Sequence, residues 1–281
     1  MLTVEQNQNL QRHGEPYLLG YSEDEELRLR KQAEELRHES AWLFDRIGLA
    51  PGSRAVDLGC GPQGVLDLLS ERVGSTGHVI GIERDRDSVA IARRFVADRG
   101  LKNVDVIQGD ATATALPTAL FEFVHARLVL VNVPWVEAIV REMVRLVRPG
   151  GVVASYEADY LPHLCDPPLQ AWDRLFEIFQ RYASSNGIDL FVGRRTHRLF
   201  REAGLVDIEV KPAIHVYPHG HNRRVVFWDF LQNVRDRVLE QELITESEFD
   251  GLTTELKEHL NRPDTLVVSH LFFQVWGRKP I

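Results

Sequence analysis

The chain has 281 residues, of which 44% are hydrophobic and 26% are charged, a composition typical of a soluble globular protein. This length suffices for one large α/β domain, alone or with a helical cap. The formal net charge of −8 argues against nucleic acid or an anionic membrane surface as the main binding partner.

The two cysteines, Cys60 and Cys165, are too few for a disulfide framework and lack the spacing of metal ligands. The N-terminus is polar and does not resemble a signal peptide. No apolar run approaches the roughly 20 residues that a transmembrane helix requires. These features predict a soluble cytoplasmic protein.

The first predicted element is a helix near the N-terminus. The sequence Ser-Glu-Asp-Glu from Ser22 is typical of a capping box, and apolar residues recur at helical spacing as far as Gly48. The helix precedes the alternation of strands and helices described next. We therefore predict that residues 1–45 form a lid, to which Tyr17 and Tyr21 contribute, or a subunit contact.

From residue 54 onward, short apolar runs alternate with helical stretches. The predicted strands are 54–58, 78–82, 104–107, 121–126 and 151–156, and the predicted helices are 63–73, 86–99 and 135–147. This alternation favours βαβ units, and hence a parallel sheet with helices on both faces.

After Glu157 the alternation ends. Asp166 followed by Pro167 predicts the start of an aromatic-rich helix. The remaining predicted elements are a basic helix at 193–203, a strand at about 206–216, helices at 224–243 and 246–261, and a β-rich run at 266–276. A capping box at Thr245 opens the last helix.

A glycine-rich turn follows the first predicted strand. The sequence from Gly59 to Gly64, Gly-Cys-Gly-Pro-Gln-Gly, matches the pattern G-x-G-x-x-G. In this pattern small residues let the backbone approach a nucleotide-like ligand where a strand turns into a helix. The turn alone does not distinguish NAD, FAD and S-adenosylmethionine (SAM).

Carboxylates at the ends of three consecutive predicted strands make this distinction. Asp57 lies two residues before the first glycine, where it would repel the pyrophosphate of a dinucleotide but attract the ammonium and sulfonium groups of SAM. Glu83 suits ribose hydroxyls, in NAD enzymes as well, and Asp110 suits the amine of adenine. An acidic cleft of this kind predicts a cationic cofactor, which is SAM.

Together these motifs resemble the class I, Rossmann-like SAM-dependent methyltransferases, over roughly residues 45–158 and more loosely over 266–277. The subgroup they resemble most is that of small-molecule methyltransferases in quinone and natural-product pathways. The resemblance implies a doubly wound, seven-stranded, mostly parallel sheet with an antiparallel last strand. It also implies SAM as cofactor, S-adenosylhomocysteine (SAH) as product, and contacts to the cofactor from Asp57, Gly59, Cys60, Gly61, Glu83, Arg84, Asp110, Ala111 and Arg127.

The resulting organisation has four parts. They are an N-terminal helical lid or subunit contact (1–45), the SAM-binding core (46–158), helical insertions that cap the acceptor and include a core helix and strand at 193–216 (159–262), and the final sheet strand (263–281). A homo-oligomer would then form through the N-terminal part.

Two residues are candidates for a role in catalysis. His125, on the fourth predicted strand, is a candidate base for a hydroxyl acceptor, and Tyr21 is a candidate aromatic wall for a developing cation. The fourth strand lacks the Asn/Asp-Pro-Pro-aromatic motif of enzymes that methylate amines of DNA bases. This absence argues against a nucleic-acid substrate. The resemblance to methyltransferases of quinone and natural-product pathways implies a small hydrophobic acceptor, aromatic or isoprenoid, with O, N, S or C as the methylated atom.

Other side chains receive plainer interpretations. We expect His215, His219 and His221 to form a polar loop without a metal. The arginines of the basic helix are expected to form a solvated face. Two or three aromatic residues of the predicted cap should line the acceptor pocket, from the set Trp172, Phe176, Phe179, Phe227, Trp228 and Phe230. The alternative functions are an NAD-dependent oxidoreductase, which Asp57 disfavours, and a non-catalytic SAM-binding module.

Overall fold

The computed structural model describes residues 17–19, 23–161 and 164–281. The strands in these residues are β1 (Arg54–Leu58), β2 (His78–Glu83), β3 (Val104–Gln108), β4 (Phe121–Arg127), β5 (Val147–Asp159), β6 (Leu164–Asp166), β7 (Val206–Ala213), β8 (Val216–Tyr217), β9 (Leu266–Val268) and β10 (Leu271–Arg278). The α-helices are α1 (Glu23–Glu35), α2 (Arg37–Ile47), α3 (Leu66–Val73), α4 (Arg86–Asp98), α5 (Val136–Leu146), α6 (Gln170–Ser185), α7 (Val192–Glu202), α8 (Val226–Glu240) and α9 (Glu246–Leu260). Short 3₁₀ helices occur at Leu130–Asn132 and Asn222–Val225.

The main sheet has seven strands in the order β3-β2-β1-β4-β5-β10-β7. The first five strands of the chain run parallel to one another, whereas β10 is antiparallel to both of its neighbours. The predicted fold, a mostly parallel sheet with an antiparallel last strand, is thereby confirmed.

Helices cover both faces of this sheet. Ala55 and Phe123 belong to the hydrophobic cluster formed with α2, α3 and α4, whereas the next residues, Val56 and Val124, belong to the cluster that includes α5, α6 and α7. Successive side chains of a strand point to opposite faces, so both faces are apolar. For this reason the strands appear in the sequence as continuous apolar runs.

The predicted N-terminal helix is divided into two. Leu36, with φ −93° and ψ 9°, separates α1 from α2. Leu36 packs in one hydrophobic cluster, whereas Leu43 and Phe44 of α2 pack in the other. Helix α2 ends at Gly48, as predicted, and Gly48 has the left-handed conformation. Ser22 lies outside the described residues.

The prediction that Asp166 caps a helix is wrong. Asp166 pairs with Leu266 in the β6–β9 ladder, and its peptide bond to Pro167 is cis. Helix α6 begins only at Gln170. The N-cap predicted at Thr245 is present, because its side chain accepts a hydrogen bond from the backbone N–H of Glu248.

The two long strands predicted in the second half are each interrupted. His215 and Ser269 bind each other, with Ser269 N donating to His215 O at 2.8 Å and His215 N donating to Ser269 Oγ at 2.9 Å. This contact separates β7 from β8 and β9 from β10. A second, three-stranded sheet of order β6-β9-β8 results, which the sequence did not predict. Across the described ranges, no helix combines the length and the apolar character needed to cross a bilayer.

Candidate active site

A large cavity opens at the carboxyl ends of the parallel strands. Its volume is about 1270 Å³, including solvent at its mouth. One half is formed by the loops that follow β1, β2 and β3. The other half is formed by residues 17–19, α1, the turn after β4 and single residues of the second half of the chain. This is the position at which open α/β sheets bind their ligands.

The glycine-rich loop brings the backbone close to this cavity. Gly59 and Gly61 have φ values of 67° and 58°, which only glycine adopts readily. A Cβ on Gly59 would lie 2.6 Å from Cγ2 of Val129, so any side chain there would force Val129 to move. Helix α3 begins at Leu66, three residues later than predicted, because the loop continues through Gly64.

Asp57 is held by a side chain of the neighbouring strand. The β1–β4 register places it opposite His125, and Nδ1 of His125 lies 2.8 Å from Oδ1 of Asp57. Since a carboxylate only accepts, Nδ1 carries the proton of this bond. Asp57 lines the cavity although it is only 2% exposed.

His125 does not reach the cavity. Its ring is fully buried, 5.4 Å from the ring of Phe44 and stacked at 5.9 Å on Phe123. A base must come within hydrogen-bonding distance of the proton that it removes, so this position does not support the predicted role as a base. The geometry instead places the His125 ring where it can orient Asp57.

Hydrogen bonds of Glu83 join the glycine-rich loop to the end of β2. Its Oε2 accepts the backbone N–H of Gly61 at 2.9 Å, and its Oε1 accepts those of Arg84 and Asp85 at 2.7 and 2.9 Å. Burial raises the pKa of Glu83, and the three hydrogen bonds oppose this shift. The guanidinium of Arg84 lies 5.5 Å from the ring of Trp135, and both side chains line the cavity.

Asp110 and Ala111 line the cavity beside the end of β3. Oδ1 of Asp110 accepts hydrogen bonds from the backbone N–H and the hydroxyl of Thr112, at 2.8 and 2.7 Å. These two bonds fix the carboxylate and leave Oδ2 with capacity to accept a further donor.

Arg127 and Cys60 support the loop. Arg127 donates to the carbonyl oxygen of Gly64 at 3.0 Å and to Oγ of Ser40 at 3.1 Å, which joins the loop to α2. The sulfur of Cys60 lies beneath β2, 2.9 Å from where a Cβ on Gly81 would stand. Burial raises the pKa of the Cys60 thiol well above its usual range, so this residue forms the site through its backbone.

The N-terminal segment forms the roof of the second half of the cavity. Tyr17 donates to Oε1 of Glu25 at 2.8 Å, and Glu25 also binds Arg28 at 2.6 Å and Nδ2 of Asn233 at 2.6 Å. The guanidinium of Arg28 lies 5.0 Å from the ring of Phe230. This network connects α1 to α8 above the cavity. Tyr21 lies outside the described residues.

The aromatic wall differs from the predicted set. Of the six predicted aromatic residues, Phe230 lines the cavity, whereas the cavity also uses Trp135, Tyr160 and His270. The rings of Tyr160 and His270 are stacked at 4.9 Å. Tyr160 directly follows β5, which extends three residues beyond its predicted end at residue 156, so the predicted strand end did not indicate it. No strand end indicated His270 either, because it reaches this edge only through the antiparallel course of β10.

Comparisons with known proteins agree with this geometry. Residues 55–151 match the family model described as a methyltransferase domain. The demethylmenaquinone methyltransferases of Geobacillus kaustophilus and Geobacillus sp. are each 30% identical to this chain, over 63% and 66% of it and over 82% and 88% of their own lengths. The chain belongs to the class I SAM-dependent methyltransferases.

Solved structures show the same fold at low sequence identity. YcgJ of Bacillus subtilis superposes with a TM-score of 0.58 at 15% identity, covering 87% of this chain and 99% of YcgJ. Phosphoethanolamine N-methyltransferase 2 of Haemonchus contortus, solved with SAH, gives a TM-score of 0.57 at 19% identity, covering 87% of this chain and 53% of that one.

Three arginines of α7 lie outside the cavity of this methyltransferase and pair with carboxylates. Arg194 pairs with Asp159, Arg195 pairs with Asp189, and Arg198 binds its neighbour on α7, Glu202, at 2.9 Å. In the ranges 17–19, 23–161 and 164–281, no three His, Cys, Asp or Glu residues are grouped as metal ligands.

The cavity of the methyltransferase fits SAM. A close backbone approach at Gly59 and the carboxylates of Asp57, Glu83 and Asp110 are the groups that a cationic nucleoside needs. When bound, SAM supplies an electrophilic methyl group on its sulfonium.

Proposed function

We propose that this methyltransferase transfers the methyl group of SAM to a small, apolar aromatic or isoprenoid acceptor. The observation that carries the proposal is a single cavity with two halves. One half presents Asp57 and Glu83, and the other presents the aromatic side chains of Trp135, Tyr160 and Phe230. The relatives named for demethylmenaquinone support an acceptor of the quinone type.

In this proposal the strand ends hold the cofactor. Asp57 binds the ammonium group of SAM, Glu83 accepts hydrogen bonds from the ribose hydroxyls, and Asp110 accepts from the adenine amine. The backbone from Gly59 to Gly61 lies against the ligand. Arg127 keeps the loop in place through its bond to the Gly64 carbonyl, so it acts on the cofactor indirectly.

Positioning and exclusion of water supply the acceleration in this proposal. Burial raises the pKa of the Tyr160 phenol, so this side chain stays neutral and does not act as a base near neutral pH. His125 has no access to the acceptor. The aromatic wall instead orients an apolar acceptor and favours positive charge at the transferred methyl group.

Residues 17–19 and α1 act as a lid in this proposal. The N–H of Leu18 donates to Asn132 O at 3.0 Å, and Arg237 donates to Leu19 O at 2.9 Å. Leu18 and Leu19 are 1% and 3% exposed within a single chain. Contacts within the chain therefore cover them, which favours a lid over a subunit contact for this part of the segment.

The test combines a binding and a turnover measurement. Thermal unfolding with SAH or NAD should show stabilisation by SAH only. Under anaerobic conditions, 1,4-naphthohydroquinone should receive a radiolabelled methyl group from SAM, and the Asp57→Ala variant should lose most of this transfer. Stabilisation by SAH without transfer to the hydroquinone or to other aromatic or isoprenoid probes would refute the proposed acceptor class.

A further inference from the structure

A buried carboxylate on β5 holds the turn that follows β4. Glu157 is fully buried, and its oxygens accept the backbone N–H groups of Val129, Leu130 and Val131 at 3.3, 3.2 and 3.2 Å. Oγ of Ser155 donates to the same carboxylate at 3.0 Å. Three consecutive amides at the start of a 3₁₀ helix thus have one side chain as their acceptor.

This turn is part of the cavity wall. It begins at Leu128, which has a φ of 55°, an unfavourable conformation for a leucine. Val129 lies against the first glycine of the cofactor loop, since its Cγ2 would be 2.6 Å from a Cβ on Gly59. Five residues of the turn line the cavity: Leu128, Val129, Val131, Asn132 and Val133. The turn therefore faces both the cofactor half of the cavity, which contains Asp57 and Glu83, and the acceptor half, which contains the aromatic side chains.

We propose that Glu157 is a positioning residue for methyl transfer, and that its carboxylate fixes the turn after β4 against the glycine loop. The proposal rests on the methyl-transfer site described above. Glu157 does not contact the ligands in this proposal. It acts through the backbone of Val129 to Val131, whose place determines the width of the cavity between Gly59 and the aromatic wall.

The ionised carboxylate is the stronger acceptor for all four hydrogen bonds. Its partners in the described structure are three amides and one hydroxyl, and no counter-ion binds it. The neighbouring elements carry ion pairs of their own: Arg194 on α7 pairs with Asp159, and Glu142 on α5 pairs with Arg145. Protonation would turn one acceptor oxygen into a donor that faces the amides.

This protonation occurs near neutral pH. Burial raises the pKa of Glu157 to about 7, although its hydrogen bonds act in the opposite direction. The negative charge of ionised Glu157 also affects Tyr160, which directly follows β5, because it raises the pKa of the Tyr160 phenol. The turn should therefore be held in about nine tenths of molecules at pH 8 and in about one tenth at pH 6.

Amide hydrogen exchange of the SAH-bound protein tests this directly and needs no acceptor. Corrected for intrinsic exchange rates, protection at Val129 to Val131 should fall about tenfold from pH 8 to pH 6. The Glu157→Gln variant should show low protection at both values. Glu142→Gln is the matched control, because Glu142 is also buried and binds a backbone amide, that of Thr114, outside the cavity wall. It should behave as wild type.

Turnover with 1,4-naphthohydroquinone provides the second readout. Wild-type kcat should fall about tenfold from pH 8 to pH 6, and Glu157→Gln should have a low kcat that no longer changes with pH, with SAH affinity within threefold of wild type. Should Glu157→Gln not fold, Ser155→Ala serves instead: losing one bond to the carboxylate should move the decline in kcat and in protection to higher pH.

Wild-type protection in Glu157→Gln, or an unchanged profile in Ser155→Ala, would overturn the proposal. A loss of SAH affinity as large as the loss of kcat would also overturn it, since this would indicate general loosening. Failure of the proposed acceptor class would appear differently, as absence of transfer by the wild type at every pH with normal amide protection.

Discussion

Replacing His125 tests whether it orients Asp57 or acts as a base. The informative pair of variants is His125→Leu and His125→Asn. Both remove the ring that packs against Phe44 and Phe123, and leucine restores more apolar contact with these rings than asparagine does, so packing alone would favour the leucine variant. Only asparagine keeps an N–H donor close to the position of Nδ1, and the difference between the variants therefore isolates the hydrogen bond to Asp57.

The structure sets the expected size of this difference. The bond to Asp57 is 2.8 Å long, fully buried and made to a carboxylate. Hydrogen bonds to charged groups contribute about 1.5–3 kcal/mol, and removing one leaves a buried acceptor unsatisfied. If most of this loss appears in binding of the ammonium group by Asp57, His125→Leu should weaken SAH binding by about 10- to 100-fold.

Titration calorimetry with SAH at pH 7.5, with turnover measured in parallel, separates the two roles. An orienting His125 predicts that Asn retains most of the affinity and turnover and that Leu loses both. A catalytic base predicts normal SAH affinity in both variants, with turnover abolished in both. Wild-type SAH affinity in His125→Leu would refute the orienting role.

Three further predictions concern the cofactor half and the buried carboxylate. Asp57→Ala should weaken SAM binding at least tenfold, about 1.4 kcal/mol, in calorimetry. Gly59→Ala should reduce SAH affinity far more than Gly61→Ala, because only the former places a Cβ against Val129; equal losses would show that backbone strain alone matters. Burial raises the folded-state pKa of Glu157 from 4.5 to about 7, so the global free energy of unfolding is higher at low pH, where no charge is buried, and falls as pH rises through 7, although the ionised carboxylate is the form that holds the turn. Denaturant unfolding should therefore show wild type losing up to about 3 kcal/mol relative to Glu157→Gln between pH 5 and pH 8.5.

The residues of the proposed cofactor half line the cavity at places that the sequence predicts, because these places are set by local patterns. Asp57, Glu83 and Asp110 each lie at the end of a strand that its apolar pattern reveals, and parallel strands bring their carboxyl ends to one edge. The apolar pattern of the strands did not reveal how far each side chain lies from the cavity. His125 lies two residues before Arg127, which places it about 6.6 Å further from that edge at the rise of a β-strand. Arg127 reaches the cavity and His125 does not.

The acceptor half depends on contacts between distant parts of the chain. Phe230 lines the cavity because α8 packs against the N-terminal segment, through Asn233 and Glu25. His270 is there because its neighbour Ser269 is bound to His215 and the last strand starts again after it. Helical periodicity shows that a helix has an apolar face, but it does not show which other element that face will contact.

The cavity retains negative charge although arginines line it. In the described structure, Glu83 takes its hydrogen bonds from backbone amides and Asp110 takes its bonds from Thr112, and neither carboxylate pairs with a lysine or arginine. Arg84 lies over an aromatic ring, and Arg127 binds a carbonyl and a hydroxyl oxygen. Fixed dipoles orient a carboxylate without neutralising it. The acids therefore remain able to attract a cationic cofactor, whereas an arginine counter-ion would have to be displaced each time SAM binds.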